Sequence, residues 1–361
     1  MAERDRESII QQCTRFVPAW AGASRTPADV FRALADRAGP RGDVYGEGES
    51  VARLESRIAG LLGKESAAVF PSGTMAQQIA LRILCERRGR RTVASHPQCH
   101  LEVHEEKGYE HLHGLHLRLV GNRNRLITLE DLEEIAEPIG VLLLELPQRN
   151  LGGQLPSWDD LVAQTAWASE RDVALHLDGA RLWQCGPYYE RELSDIAELF
   201  DTVYVSLYKD LGGLGGCVLA GPEDLIAEAR VWRVRHGGRL SSFEAIALSA
   251  ELGLDEVLPR MPSFVSKAHE IGAALVLVDG IDVLPDPPQV AMLHIFLRGE
   301  LERLRDTVLD IAEERRILIA GWLAPTPLPD VQATELGVGA STLEVPTDEI
   351  AEYYAELVMR V

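Results

Sequence analysis

The stretch Asp172-Val173-Ala174-Leu175-His176-Leu177-Asp178-Gly179-Ala180-Arg181, with Val203-Tyr204-Val205-Ser206-Leu207-Tyr208-Lys209 after it, decides the fold. Leu175 and Leu177 alternate within the first run and Val203 to Val205 reads as the next strand, so Asp178 and Lys209 both fall where buried strands meet loops. Working outward, Ala67-Ala68-Val69-Phe70, Thr92-Val93-Ala94, the alternating Leu115 to Leu119 and the apolar run Val141 to Leu144 read as further strands. Helices separate them. Thr26 as N-cap with Pro27 behind it and Gly39-Pro40 beyond frames one, and Ser50 starts another with Val51, Leu54, Ile58 and Leu61 at helical spacing. Others open after Ser72 (with Met75, Ile79 and Ile83), Thr128, Ser157 and Ser242. The alternation predicts an α/β fold, a mostly parallel central sheet with helices on both faces, and a ligand at the carboxyl ends of the strands. The expected organisation is an N-terminal arm and helix over 1–40, a large domain over 41–262 and a smaller C-terminal α+β domain over 263–361.

Composition excludes several classes. The chain has 361 residues, 46% of them hydrophobic, enough for a large core in two lobes. A net charge of −20 without a basic, aromatic-studded stripe argues against a nucleic acid partner. Cys13, Cys85, Cys99, Cys185 and Cys217 are odd in number and lack paired spacing, which points to a reducing cytoplasm. Met1 to Glu7 is too charged for a signal peptide and no apolar run is long enough for a bilayer, so no membrane association is expected.

The residues at the strand ends carry the chemistry. A lysine amine condenses with an aldehyde as a Schiff base, and a carboxylate facing a pyridine nitrogen keeps that nitrogen protonated; Lys209 and Asp178 are the pair that a pyridoxal phosphate site needs. Four of the five residues Gly212 to Gly216 are glycine, which suits a backbone passing close to a ligand. Ser72-Gly73-Thr74 opens a helix after a strand, so its unpaired amides can hold a phosphate. His100 and His104 lie four apart on one helical face, the spacing of a metal pair, but no clear third and fourth ligand follows; solvent-facing histidines and a His100 stacked on the cofactor are the other readings.

In order along the chain, Val44-Tyr45-Gly46-Glu47-Gly48, Pro71-Ser72-Gly73-Thr74-Met75, Gly152-Gly153-Gln154-Leu155-Pro156, His176-Leu177-Asp178-Gly179-Ala180-Arg181, Ser206-Leu207-Tyr208-Lys209 and Val231-Trp232-Arg233 resemble the threonine aldolase and β-eliminating lyase family of fold type I pyridoxal phosphate enzymes. The resemblance implies pyridoxal 5'-phosphate as cofactor and retro-aldol cleavage of a β-hydroxy-α-amino acid to glycine and an aldehyde. It assigns Lys209 to the aldehyde, Asp178 to the ring nitrogen, and His100 to stacking on the ring and accepting the hydroxyl proton. Ser72, Gly73, Thr74 and Ser206 would hold the cofactor, and Arg181 the substrate carboxylate or the phenolic oxygen. Tyr45, in a turn like the one that lines such sites across a dimer interface, would touch substrate. A homodimer or homotetramer is implied.

Three departures touch the substrate side. Leu146-Pro147-Gln148-Arg149-Asn150 stands where the family carries a Thr-His-Asn segment, and Gln148 cannot titrate. Val338 stands where an arginine grips the carboxylate, leaving Arg149 or Arg239 to do so. Tyr208 and Asp210 flank the lysine in place of a small residue and a glycine; Tyr208 reads equally as a cofactor contact or a core residue. β-Elimination or desulfuration of a substituted amino acid, which needs only Cα deprotonation by Lys209, is the first alternative. A catalytically idle relative is the second.

Overall fold

The computed structural model describes residues 6–19 and 26–361; Met1 to Asp5, read above as part of a charged start, lie outside them. The described chain forms two units. The larger comprises residues 28–150 and 155–260, and the other comprises residues up to 27, 151–154 and 261–361.

The larger unit is built on seven strands: β1 (Ser66–Phe70), β2 (Thr92–Ser95), β3 (His116–Leu119), β4 (Val141–Glu145), β5 (Ala174–Gly179), β6 (Thr202–Ser206) and β7 (Cys217–Gly221). Their order is β1-β7-β6-β5-β4-β2-β3, with only β7 antiparallel to its neighbours. Strands β5, β6 and β7 are buried at every residue, as expected when both faces are covered. Leu115 to Leu119 behaves differently from its alternating pattern: β3 is the sheet edge, and His116, Arg118 and Leu119 are exposed. The helix Gly73–Arg87 packs Ile79 and Ile83 into the same core as Leu143, Leu219 and Ile226.

Local chemistry sets the helix starts. Ser72 caps Gly73–Arg87, as its sequence predicts, accepting from the Met75 amide at 3.3 Å. The helix read from Ser50 begins at Glu49, because Asp43 accepts from the amides of Gly46 (3.2 Å) and Gly48 (2.8 Å) and turns the chain there. Thr128 and Asp131 form a reciprocal cap on Leu129–Glu133. Hydrogen bonds from Arg125 first, and then from Thr128, hold the Asp131 carboxyl down at about 2. A carboxyl depressed in this way stabilises the fold while ionised and loses that contribution as the pH falls through its folded value. Asp131→Asn is therefore expected to cost about 1 kcal/mol in urea unfolding at neutral pH. The difference from the parent should vanish as the pH falls through about 2.

The C-terminal unit carries an antiparallel sheet in the order Ala324–Pro325, Val331–Gly337, Met292–Arg298, Ile281–Leu284, with the helices Met261–Leu275, Leu301–Arg315 and Thr347–Met359. Gly152 and Gly153 belong to this unit in left-handed conformations, and a Cβ on either would overlap Leu284 or Met292. Val338 is buried here, its amide donating to the Ala291 carbonyl at 2.8 Å. No helix among the described residues is long and apolar enough to cross a membrane.

Candidate active site

Strand register lays out the floor of the site. Glu145 on β4 pairs with Asp178 on β5, which pairs with Tyr204 on β6, so three polar side chains share one face near the carboxyl ends of parallel strands. Asp178 is 1% exposed. Its Oδ1 accepts from the Ala180 amide at 3.1 Å and its Oδ2 from Gln77 Nε2 at 3.0 Å, so a buried charge is met by two donors. The other Gln77 polar atom, Oε1, is buried without a protein partner.

The turn after β6 aims Lys209. Ser206 Oγ accepts from the amides of Tyr208 and Lys209, each at 3.3 Å, and the Ser206 carbonyl accepts from Trp183 Nε1 at 2.9 Å. Ser206 thus fixes the backbone behind the lysine. The following glycines are required sterically: a Cβ on Gly213 would overlap the Leu207 carbonyl, and left-handed Gly216 lies against Ile246. Burial pulls the Lys209 amine below its ordinary value, opposed by the charge of Asp178. Asp210 is pushed up to about 6 by burial, against Arg181 and a 2.7 Å hydrogen bond from Gln184. Its Oδ2 is buried without a partner.

A cavity of about 340 Å³ opens between this turn and the start of the helix Gly73–Arg87, with Ser72, Gly73, Thr74, Gln77, His100 and Lys209 on its walls. The first amides of that helix have no intrahelical acceptors and carry the positive end of the macrodipole. His100 starts the short helix His100–His104, and its Nδ1 lies 2.9 Å from Glu105 Oε1. The Glu105 side chain is 0% exposed, and its Oε2 accepts from Gln78 Nε2 at 3.0 Å. The His104 ring lies 5.0 Å from that of His100, and burial lowers its pKa. Among the described residues no group of three or more His, Cys, Asp or Glu could hold a metal ion.

Ser72, Gly73, Thr74, His100 and Lys209 therefore meet at one cavity, and Asp178 is joined to it through Gln77. Of the other expected contacts, Tyr208 alone is on the cavity lining. Gln148 is buried, its amide donating to Glu145 at 3.1 Å and to the Gln98 carbonyl at 3.2 Å. Arg149 contributes its backbone N–H to Glu145 at 3.1 Å. Tyr45 is exposed in a left-handed turn with the Arg239 guanidinium 4.5 Å above its ring. Tyr208 is exposed at the cavity and is not a core residue. Arg181 acts electrostatically on both Lys209 and Asp210.

Sequence reasoning missed Gln77, Glu105 as a partner of His100, and Glu145. Burial, and then the neighbouring Asp178, push the Glu145 carboxyl above the ordinary carboxylate range. The adjacent glutamines inside an otherwise apolar helical stretch were the available signal for the first two, because polar groups in a buried helix need partners. A void of about 20 Å³ beside Glu145 and Gln148 is far too small for a cofactor.

Gly73 is the tightest position, since a Cβ there would overlap the ring and hydroxyl of buried Tyr204. Gly73→Ala is expected to cost about 1–3 kcal/mol of stability from overpacking and to displace the helix start. Thermal unfolding and cofactor titration of the purified variant measure the two effects.

The chain is similar to proteins already known. The pattern of the β-eliminating lyase family matches residues 26–298. Low-specificity L-threonine aldolase 1 of Arabidopsis thaliana is 30% identical over 303 residues, covering 81% of this chain and 84% of that protein. A solved candidate L-allo-threonine aldolase from Listeria monocytogenes EGD-E superposes with a TM-score of 0.92 at 35% identity, covering 98% of each chain. A candidate aromatic amino acid β-eliminating lyase/threonine aldolase from Exiguobacterium sp. 255-15 gives the same TM-score and identity over 98% of this chain and 99% of that one. With three-quarters of its length matched by the family pattern, the chain belongs to the β-eliminating lyase family.

Proposed function

We propose that the protein is a pyridoxal phosphate-dependent lyase that cleaves the Cα–Cβ bond of a β-hydroxy-α-amino acid to give glycine and an aldehyde. The carrying observation is the Lys209 amine, shifted by burial towards its neutral form, on the wall of a cavity that also holds a helix N-terminus and His100. The threonine aldolase names of its relatives supply the reaction class.

The residues fit the cofactor. The amides at Gly73 and Thr74 suit a phosphate, Lys209 suits an aldehyde, and Asp178 suits a protonated ring nitrogen. When bound, the cofactor supplies the aldehyde that captures the amine and the ring that takes up electrons released at Cα. Asp178 holds a proton on the ring nitrogen, and hydrogen bonds from Gln77 and the Ala180 amide orient its carboxyl group. His100 accepts the β-hydroxyl proton at Nε2, the nitrogen not engaged by Glu105. Arg181 is the cation for the substrate carboxylate or the phenolic oxygen. Gln148 and Arg149 act through Glu145, which their hydrogen bonds hold beside Asp178.

The larger unit exposes Val44, Tyr45, Tyr208 and Leu214, large apolar side chains that a homo-oligomer would cover. We place the protein in the cytoplasm on its five free, buried cysteines. Incubating the cofactor-loaded protein with L-threonine, L-allo-threonine, phenylserine and cysteine tests the reaction. Glycine and aldehyde from the hydroxy amino acids are expected; sulfide and pyruvate from cysteine alone would establish β-elimination instead, and no product from any of them would leave the idle relative.

A further inference from the structure

We infer that Glu105 is the positioning residue for His100, holding the proton on Nδ1 so that Nε2 is the nitrogen presented to the substrate hydroxyl, and that Gln78 holds Glu105 in turn. The inference rests on the proposed reaction for its kinetic consequence but not for its geometry. Glu105 accepts from Gln78 at Oε2, and with Oε1 accepting in the same way the imidazole nitrogen 2.9 Å from it is the donor. The opposite ring nitrogen then has its lone pair directed away from Glu105, and His100 lines the cavity. When Nε2 takes a proton from the substrate hydroxyl, the positive charge formed on the ring lies directly against the Glu105 carboxylate, which stabilises it.

The surrounding chain is shaped to keep this acid in place. The Glu105 side chain is fully enclosed, and Gln78 Nε2 at 3.0 Å is the second donor it needs. Glu106 and Lys107 both adopt left-handed conformations, which non-glycine residues rarely do, and the turn they make returns Gly108 onto Gln78. A Cβ at Gly108 would overlap the Gln78 amide, so the glycine leaves the space in which Gln78 reaches Glu105. Gln77 and Gln78, consecutive on one helix, thereby hold two different acids: Asp178 and the partner of His100.

The test uses full-length, cofactor-loaded protein labelled with ¹⁵N-histidine, with the His100 signals identified by their loss in His100→Asn. The imidazole nitrogen shifts of the parent are expected to report the Nδ1–H tautomer. In Glu105→Gln the new amide offers Nδ1 either an oxygen or an NH2, so a mixed tautomer population is expected. The same variant should lower kcat for L-threonine about 10- to 100-fold while KM moves less than about threefold. A parent His100 carrying its proton on Nε2 would overturn the inference, as would a variant with unchanged tautomer or unchanged kcat. Should Glu105→Gln not fold, Gln78→Met removes only the outer support and is read by the same two measurements, with a smaller shift in the same direction. If the parent turns over no amino acid, the proposed function fails while the nitrogen shifts still decide the role of Glu105.

Discussion

Lys209→Ala is expected to abolish the yellow colour of the cofactor-loaded protein and to reduce turnover by roughly 10⁴-fold or more. The amine lies on the cavity wall, and packing around it disfavours the ammonium form, so an ordinary lysine pKa is lowered towards the range where the neutral nucleophile is available. Alanine removes the nucleophile without disturbing the turn, because that turn is held by Ser206 through backbone amides and not by the lysine side chain. Circular dichroism should therefore match the parent. Phosphate affinity should persist, since the helix start at Ser72 is untouched. Visible absorbance, product formation and inorganic phosphate competition measure the three parts separately.

Asp178→Asn is expected to separate binding from chemistry. The carboxylate is buried and receives hydrogen bonds from Gln77 and Ala180, and asparagine is close to it in size. An amide cannot provide the negative charge that keeps a ring nitrogen protonated, and that charge matters most while electrons flow into the ring. We expect kcat to fall about 10²- to 10³-fold with cofactor occupancy retained. Equilibrium dialysis of the cofactor alongside steady-state kinetics checks this. Loss of occupancy with near-normal kcat per bound cofactor would instead give Asp178 a purely structural role.

Much of this is legible in the amino-acid sequence. The buried runs at β4, β5 and β6 are short, apolar and followed by polar residues, so strand ends and site residues announce each other. Ser72 reads as a cap for the same electrostatic reason that a helix start suits an anion. Other features needed the fold. The alternation of Leu115 to Leu119 promised a half-buried strand, but an edge position leaves several of its side chains in water. Gln148 marked a lost titrating group, and only register showed it supporting Glu145 across from Asp178. Glu105 was legible as an acid near two histidines, yet spacing alone cannot reveal that a pair of left-handed residues folds the chain back over Gln78.

The paired glycines teach the same lesson. Gly152-Gly153 was read as a landmark of the family, and sterically both positions are set by the C-terminal sheet, against Leu284, Val290 and Met292. A motif can accompany a site because the fold demands it.

The most direct measurement is borohydride reduction of the cofactor-loaded protein, followed by proteolysis and mass spectrometry. If Lys209 is the amine that meets the cofactor aldehyde, the pyridoxyl mass will be found on the peptide containing Lys209 and nowhere else. A pyridoxyl group on another lysine, or none on any peptide, would contradict the account.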